Sequence, residues 1–323
     1  MGRIVLRRLL ASAAIVFAVA SFTFVLIHLA PGDAYTVAAQ SARYPGVIAQ
    51  LRAEAGLDRP IAEQYVRYMG KVARGDFGKS FSQGRAVHDV LADAIPNTLV
   101  LMGAALACSF LAGIALGIVQ ARAQGSPIDR GLGTLSLLFY SMPDFWLAIL
   151  LLLVFGVWVN VLPTGGVHAE PYRYADLSAG GKLADRLQHL VLPVAALTLL
   201  TAAAIARYQR SAMLDVSGED YVRTARAKGL GERGVVMRHV LRNALLPVIT
   251  LVGLGFPALL GGAVLVEKVF SWPGMGSLTV DAVLSRDFPL VTAAVVIGSA
   301  MVCAGSLLAD LLYAVADPRM RRG

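Results

Sequence analysis

Residues 98–119 read TLVLMGAALACSFLAGIALGIV, an apolar run without a single charge. About 20 apolar residues carry a helix across the ~30 Å hydrocarbon core of a bilayer. In lipid every backbone amide needs an internal partner, so such a run is helical. Working outward from it, five more stretches qualify. Leu9–Leu29, His189–Ala206, Ala244–Val266 and Phe288–Leu308 are uncharged, and Leu132–Leu162 holds one charge, Asp144. The pattern predicts an all-α polytopic membrane protein with six transmembrane helices. The short alternating segments of a β-barrel are absent.

Composition agrees. Hydrophobic residues make up 57% of the 323, charged residues 15%, and the mean hydropathy is +0.65. A soluble domain carries about 25% charge, so a cytosolic enzyme, a disordered chain and a disulfide scaffold are excluded. Cys108 and Cys303 both fall in apolar runs and form no metal spacing. The net charge of +8 points to loops held against anionic lipid or to a docking surface, not to nucleic acid. Lys and Arg are more frequent in residues 1–8, 120–131, 207–243 and 309–323 than in the short segments 163–188 and 267–287, while the long segment 30–94 nearly balances its own with acids. That bias places both termini in the cytoplasm, with one large extracytoplasmic loop after the first helix. The first run exceeds a cleaved signal's apolar region and lacks a small-x-small exit, so we expect it to stay as a span.

Two regions are expected: residues 1–94, the first helix with its extracytoplasmic loop, and residues 95–323, a five-helix core. Within 30–94, a helical piece Ile61–Arg74 follows Pro60, and the region is expected to rest on the outer helix ends. Residues 163–188 are glycine-rich and read as a loop. Trp272 and Trp158 read as aromatic anchors at the membrane interfaces. Pro247 and Pro257, with Gly253, Gly255, Gly261 and Gly262, read mainly as packing features of the fifth span. The polar segment 211–243 lies between two spans. Ser217 and Asp220 have capping-box spacing, which predicts a helix from about Gly218, and Gly229 predicts its end. Glu219 and Asp220 suit its positive end, Arg226 and Lys228 its negative end. A second helical stretch, Glu232–Leu245, leads into the next span. The short helix lacks an apolar stripe wide enough to bury itself, so it needs a partner or lies among headgroups.

Asp144 is the one carboxylate inside a predicted span. It is either a substrate-path residue or the first-turn acid of a helix restarting after Pro143. Met142 beside it is a second candidate for the path. Gly180-Gly181-Lys182-Leu183 is too short for a Walker A loop and lacks its Ser/Thr, so the chain is not expected to hydrolyse ATP.

The loop Tyr221-Val222-Arg223-Thr224-Ala225-Arg226-Ala227-Lys228-Gly229-Leu230, with Arg238-His239 and Arg242-Asn243-Ala244-Leu245-Leu246-Pro247, resembles the EAA loop of ABC importer permeases. More narrowly it is similar to the dipeptide/oligopeptide/nickel branch. Other blocks fit the same family: His28-Leu29-Ala30-Pro31-Gly32-Asp33, Gly56-Leu57-Asp58-Arg59-Pro60, and Gly75-Asp76-Phe77-Gly78 with Ser80. Further on come Ser141-Met142-Pro143-Asp144-Phe145-Trp146, Glu267 to Gly276, Arg286-Asp287-Phe288-Pro289 and Asp317-Pro318-Arg319. The glutamate of the wider EAA pattern is missing, since Arg223-Thr224-Ala225 stands there.

The resemblance implies a type I ABC importer permease in a bacterial inner membrane. It implies a second homologous permease, two cytoplasmic ATPases that bind the ATP and Mg, and an extracytoplasmic binding protein. It also implies a coupling helix that docks an ATPase through Glu219, Asp220, Tyr221, Ala225, Lys228 and Gly229. No cofactor is expected on the chain itself. Di- or oligopeptides are the expected cargo, nickel or a nickel chelate the alternative; a secondary transporter is a third reading from a different class.

Overall fold

The structure is a computed structural model that describes residues 2–29, 59–248, 251, 255 and 263–316, all-α in architecture. Its helices are α1 (Gly2–Leu29), α2 (Ile61–Arg74), α3 (Val87–Arg122), α4 (Pro127–Tyr140), α5 (Asp144–Leu151, continued by a π-helical segment, Leu152–Trp158) and α6 (Pro171–Ala175). There follow α7 (Ala179–Ser217), α8 (Asp220–Ala227), α9 (Glu232–Val235), α10 (Val264–Val269), α11 (Met275–Leu284) and α12 (Phe288–Ala316).

Among the described residues, four helices are long and apolar enough to cross a membrane: Leu6–Leu29, Val87–Arg122, Ala179–Ser217 and Phe288–Asp310. The expected single span Leu132–Leu162 is instead two helices, α4 and α5, meeting at a 105° bend. Pro143 explains the break: it lacks an N–H, and it disfavours helical backbone at Met142 before it. Most of the expected fifth span, with Pro257, Gly253, Gly261 and Gly262, lies outside the described residues, as does Asp317-Pro318-Arg319. The glycine-rich stretch is not all loop, because α7 begins at Ala179, where Ser178 Oγ accepts the Gly181 N–H at 3.2 Å.

The long pair α3 and α7 forms the middle of the fold. They lie close because α3 presents Gly113 and Gly117. A Cβ on Gly113 would sit 2.6 Å from Ile205 Cβ, and one on Gly117 2.6 Å from Gln209 Cβ. Small residues let membrane helices approach backbone to backbone. Helix α3 is continuous through residue 94. Its first turns, Val87, Val90, Leu91 and Ala94, bury against Met275, Leu278, Leu290 and Ala293 of α11 and α12.

Two buried carboxylates organise that end. Asp287 is fully buried; its Oδ2 accepts Ser80 Oγ at 2.6 Å, Ser82 N at 2.9 Å and Ser82 Oγ at 2.8 Å, while Oδ1 accepts Leu290 N at 3.2 Å. It thus caps α12 and ties the 75–85 turns to it. Burial pushes its acidity the other way, but the donors from Ser80, Ser82 and Leu290 outweigh it and hold the carboxyl below its ordinary range. Glu267, also fully buried, accepts Thr98 Oγ1 at 3.2 Å and Ser277 N at 2.7 Å. Trp272, expected at the membrane interface, is buried beside it and donates Nε1–H to Asn97 O at 3.0 Å. Trp158 is exposed.

Candidate functional site: the loop between α7 and the 232–248 helix

Helix α7 projects past its apolar stretch and ends at Ser217. The expected capping box does not form. Ser217 Oγ donates to Met213 O at 2.6 Å inside α7, and Glu219 takes the N-cap place of α8 without a side-chain bond. The hydroxyl closer to its own helix wins, because a donor inside α7 has a carbonyl one turn back already in reach. Gly229 does end α8. Its φ is +79°, Gly229 N donates to Arg226 O at 2.9 Å, and Leu230 N donates to Ala225 O at 3.4 Å. This is the Schellman pattern that glycine favours.

The expectation that α8 cannot pack on its own chain is overturned. Val222 and Ala225 are buried with Met213, Val235, Val236, Val240 and Ala244. Two small apolar positions at i and i+3 are enough here, since the helix is only eight residues long and the 232–248 segment folds back over it. Polar ties hold the same side. Arg226 forks onto Glu232, with Nη2 to Oε1 at 3.0 Å and Nε to Oε2 at 3.2 Å. The guanidinium holds the Glu232 carboxyl below its ordinary value. Asn243 Nδ2 donates to Tyr221 Oη at 2.6 Å.

Of the residues expected to meet a partner, Ala225 therefore faces the subunit's own interior. Tyr221 is partly engaged by Asn243. Glu219, Asp220, Lys228 and Gly229 are exposed, the first two at the start of α8 and the last two at its end, and the Asp220 side chain is 97% exposed. Among the described residues, none lies within 4 Å of a Cβ placed on Gly229. The loop is thus a rigid knob, apolar inside and polar outside.

The knob is joined to the membrane helices through α7. One turn above Met213, Arg210 grips Asp129 at the start of α4, with Nε to Oδ1 and Nη2 to Oδ2 both at 2.8 Å. Asp129 Oδ2 also accepts Gly125 N at 3.0 Å. Bidentate pairs of this kind fix orientation as well as distance. The pair ties α7 to the start of α4. Met142 and Asp144 lie elsewhere, at the elbow between α4 and α5. Both are half-buried, and Asp144 Oδ1 accepts the Phe145 N–H at 2.8 Å in the first turn of α5. Sequence reasoning passed over Asp129, Arg210, Glu267 and Asp287 as functional positions. The last two stood only as letters inside family blocks.

The description "Binding-protein-dependent transport system inner membrane component" matches residues 113–322, and that of the N-terminal region of the same components matches residues 1–102. The chain belongs to this family of importer permeases. The permease is 39% identical to the oligopeptide transport system permease protein AppB of Bacillus subtilis over 321 residues, 99% of each chain. It is 37% identical to the dipeptide transport system permease protein DppB of Escherichia coli over 336 aligned positions, again 99% of each. The glutathione transport system permease protein GsiC of Salmonella paratyphi A is 40% identical over 317 residues, 98% of each. As a permease of this family, the chain is not itself the ATP-hydrolysing subunit.

Proposed function

We propose that the permease forms one half of a peptide-conducting pathway, paired with a homologous permease, driven by two cytoplasmic ATPases and supplied by an extracytoplasmic binding protein. In this reading it crosses a bacterial inner membrane six times with both termini inside, and α8 is the coupling helix. The single observation that carries the reading is the exposed Glu219, Asp220, Lys228 and Gly229 face, held rigidly at the end of α7 by Val222, Ala225 and Arg226. A surface this fixed, polar and protruding suits a groove in a soluble partner. ATP-driven closure of the ATPases displaces it as a rigid body, and α7 carries the motion into the membrane. Cargo moves only if ATP binds the two states of the assembly with different affinity. Names of full-length relatives, oligopeptide, dipeptide and glutathione permeases among them, support peptides as cargo.

The reading is tested by reconstituting the permease with its sister permease, ATPases and binding protein in proteoliposomes. Labelled di- and tripeptides are expected to accumulate inside the vesicles only with binding protein outside and ATP enclosed. Accumulation without nucleotide contradicts it. In the same assay Asp144→Asn separates the two readings of the elbow. If Asp144 only starts α5, Asn supports the helix start and uptake of cationic and neutral peptides falls in parallel, by less than about twofold. A loss confined to cationic peptides places Asp144 on the route instead.

A further inference from the structure

Helices α1 and α12 run antiparallel and share both ends. At one end Arg8 Nε and Nη2 meet the two oxygens of Asp310 at 2.8 Å and 3.0 Å. At the other, Leu29 closes α1 and Phe288 opens α12. Their apolar lengths match, 24 residues for Leu6–Leu29 and 23 for Phe288–Asp310. At 1.5 Å per residue each is about 35 Å long, enough to reach across a ~30 Å hydrocarbon core. The Leu29 and Phe288 ends lie away from α8. The start of α12 packs on the start of α3, and α3 runs parallel to α7, with Gly113 beside Ile205 and Gly117 beside Gln209.

Helix α2 packs on one face of α1. Tyr65 Oη meets Ser21 Oγ at 2.7 Å, and Tyr68 Oη donates to Ala20 O at 3.1 Å. At 3.6 residues per turn, Val19, Phe22 and Leu26 lie about half a turn round α1 from Ser21 and Phe24. On that far face is a groove of about 980 Å³. Its α1 wall runs from Ile27 to Ala18 and its α12 wall from Phe288 to Val295, with Val283 and Arg286 at the turn between α11 and α12. Counted from the Leu29 and Phe288 ends, the groove descends about 16 Å along α1 and about 11 Å along α12. Both depths are close to that of one leaflet, half of the ~30 Å core. The lining is apolar except at two places. Thr23 donates its hydroxyl to Val19 O at 2.8 Å, inside its own helix. Arg286 is the one charge in the lining.

Arg286 is exposed, and among the described residues no carboxylate pairs with it. Its neighbour Asp287 is turned inward, onto Ser80 and Ser82. The Arg286 backbone has φ +53°, a conformation that glycine adopts freely and other residues only against steric resistance. It closes α11, with Arg286 N donating to Val283 O at 3.1 Å and Asp287 N to Ala282 O at 2.8 Å. An arginine where glycine fits better points to a use for its side chain.

We propose that the groove holds an acyl chain of an anionic phospholipid, with the lipid phosphate on Arg286. Charge complementarity and depth select this occupant. The walls are apolar over one leaflet, and the single cation stands at the mouth, where a phosphate lies above its chains. Guanidinium suits phosphate, which it can grip with two parallel bonds. The lining holds no carboxylate, so the ammonium of phosphatidylethanolamine meets only a like charge there. Phosphatidylglycerol brings no such cation. The bound lipid bridges α1 to the α11–α12 turn. The proposal rests on α1 and α12 crossing the bilayer and is independent of what the transporter carries.

The test uses the assembled transporter in detergent, titrated with phosphatidylglycerol or phosphatidylethanolamine and read by native mass spectrometry. The parent is expected to bind phosphatidylglycerol at least about tenfold more tightly than phosphatidylethanolamine. Arg286→Gln is expected to weaken phosphatidylglycerol about tenfold, or about 1.4 kcal/mol, and Arg286→Lys to weaken it less. Val295→Phe fills the deep end and leaves Arg286 in place, so it carries the same test should Arg286→Gln fail to assemble; it is expected to weaken both lipids. Affinities unchanged in these variants, or equal for the two lipids in the parent, overturn the proposal. Glycerophosphate, which has no chains, is not expected to compete; competition would put a soluble anion on Arg286 and overturn the lipid assignment. A benzophenone side chain at Phe22, exposed on the groove, separates the other occupants. A phosphatidylglycerol adduct that falls in yield with Arg286→Gln is expected. An adduct with the sister permease or with residues 30–58 in its place overturns the proposal.

Discussion

Gly229→Val is expected to abolish ATP-driven uptake by the assembled transporter while leaving the permease in the membrane at its normal level. Two effects coincide at this position. The φ of +79° is one that a β-branched residue adopts only at a cost of roughly 1–2 kcal/mol. Relief of that strain undoes the paired bonds from Gly229 N and Leu230 N that close α8. The new side chain also projects from the exposed face, since no described residue lies within 4 Å of its Cβ. Among the described residues there is room for valine, so folding is expected to survive. If α8 docks in a partner's groove as proposed, the added bulk lowers uptake by tenfold or more, each factor of ten being about 1.4 kcal/mol of lost docking. Gly229→Ala keeps the strain and adds little bulk, and is expected to fall between. Normal uptake by Gly229→Val at normal ATPase occupancy would count against docking through this face.

The largest effect on stability is expected from the Glu267 cluster. Glu267→Ala strands the buried Ser277 N–H and removes the acceptor for Thr98 Oγ1, whose oxygen in turn accepts Met275 N at 2.7 Å. An unsatisfied buried polar group costs about 1–3 kcal/mol, and two are exposed to that fate at the start of α11. Gly274→Ala attacks the same cluster from the other side: its Cβ would lie 2.5 Å from Glu267 Cδ and 2.6 Å from Thr98 Oγ1. Both variants are expected to lower the unfolding midpoint of the detergent-purified protein by several degrees and to broaden its gel-filtration peak. Glu267→Gln retains one acceptor and is expected to lose less. An unchanged midpoint for Glu267→Ala would mean that the cluster contributes nothing to the fold.

The spans that stand in the structure were legible because each is a long, nearly uncharged run, and one-dimensional hydropathy suffices for that. Gly229 was legible for a similar reason: a glycine after a short amphipathic stretch has few other uses. The elbow at 140–144 was legible only in part: Pro143 and Asp144 offered a restarting helix as one reading, but the length of the apolar run Leu132–Leu162 still read as a single span. The false capping box at Ser217 shows the limit of local spacing. The motif is present, but α7 extends past the point where its hydrophobicity ends, and Ser217 is spent on the α7 backbone. Burial of Val222 and Ala225 depends on residues 235–244 folding back, a contact across a glycine turn that no eight-residue window contains. Glu267, Asp287 and Asp129 were illegible as buried charges because their donors are distant in sequence: Thr98, Ser80 and Arg210 respectively. The packing of α2 on α1 depends on tyrosine hydroxyls meeting Ser21 and the Ala20 carbonyl, and two tyrosines in an amphipathic helix do not announce that.

The central claim is that the outer face of α8 seats in a cytoplasmic ATPase. Site-specific photocrosslinking in the assembled complex tests it most directly, with a benzophenone side chain at Asp220 or Lys228 on the exposed face and at Trp158 as an exposed position remote from it. The account predicts an adduct of permease and ATPase from Asp220 and Lys228, altered in yield by ATP, and none from Trp158. Adducts with lipid alone from both α8 positions, with the complex intact, would contradict it.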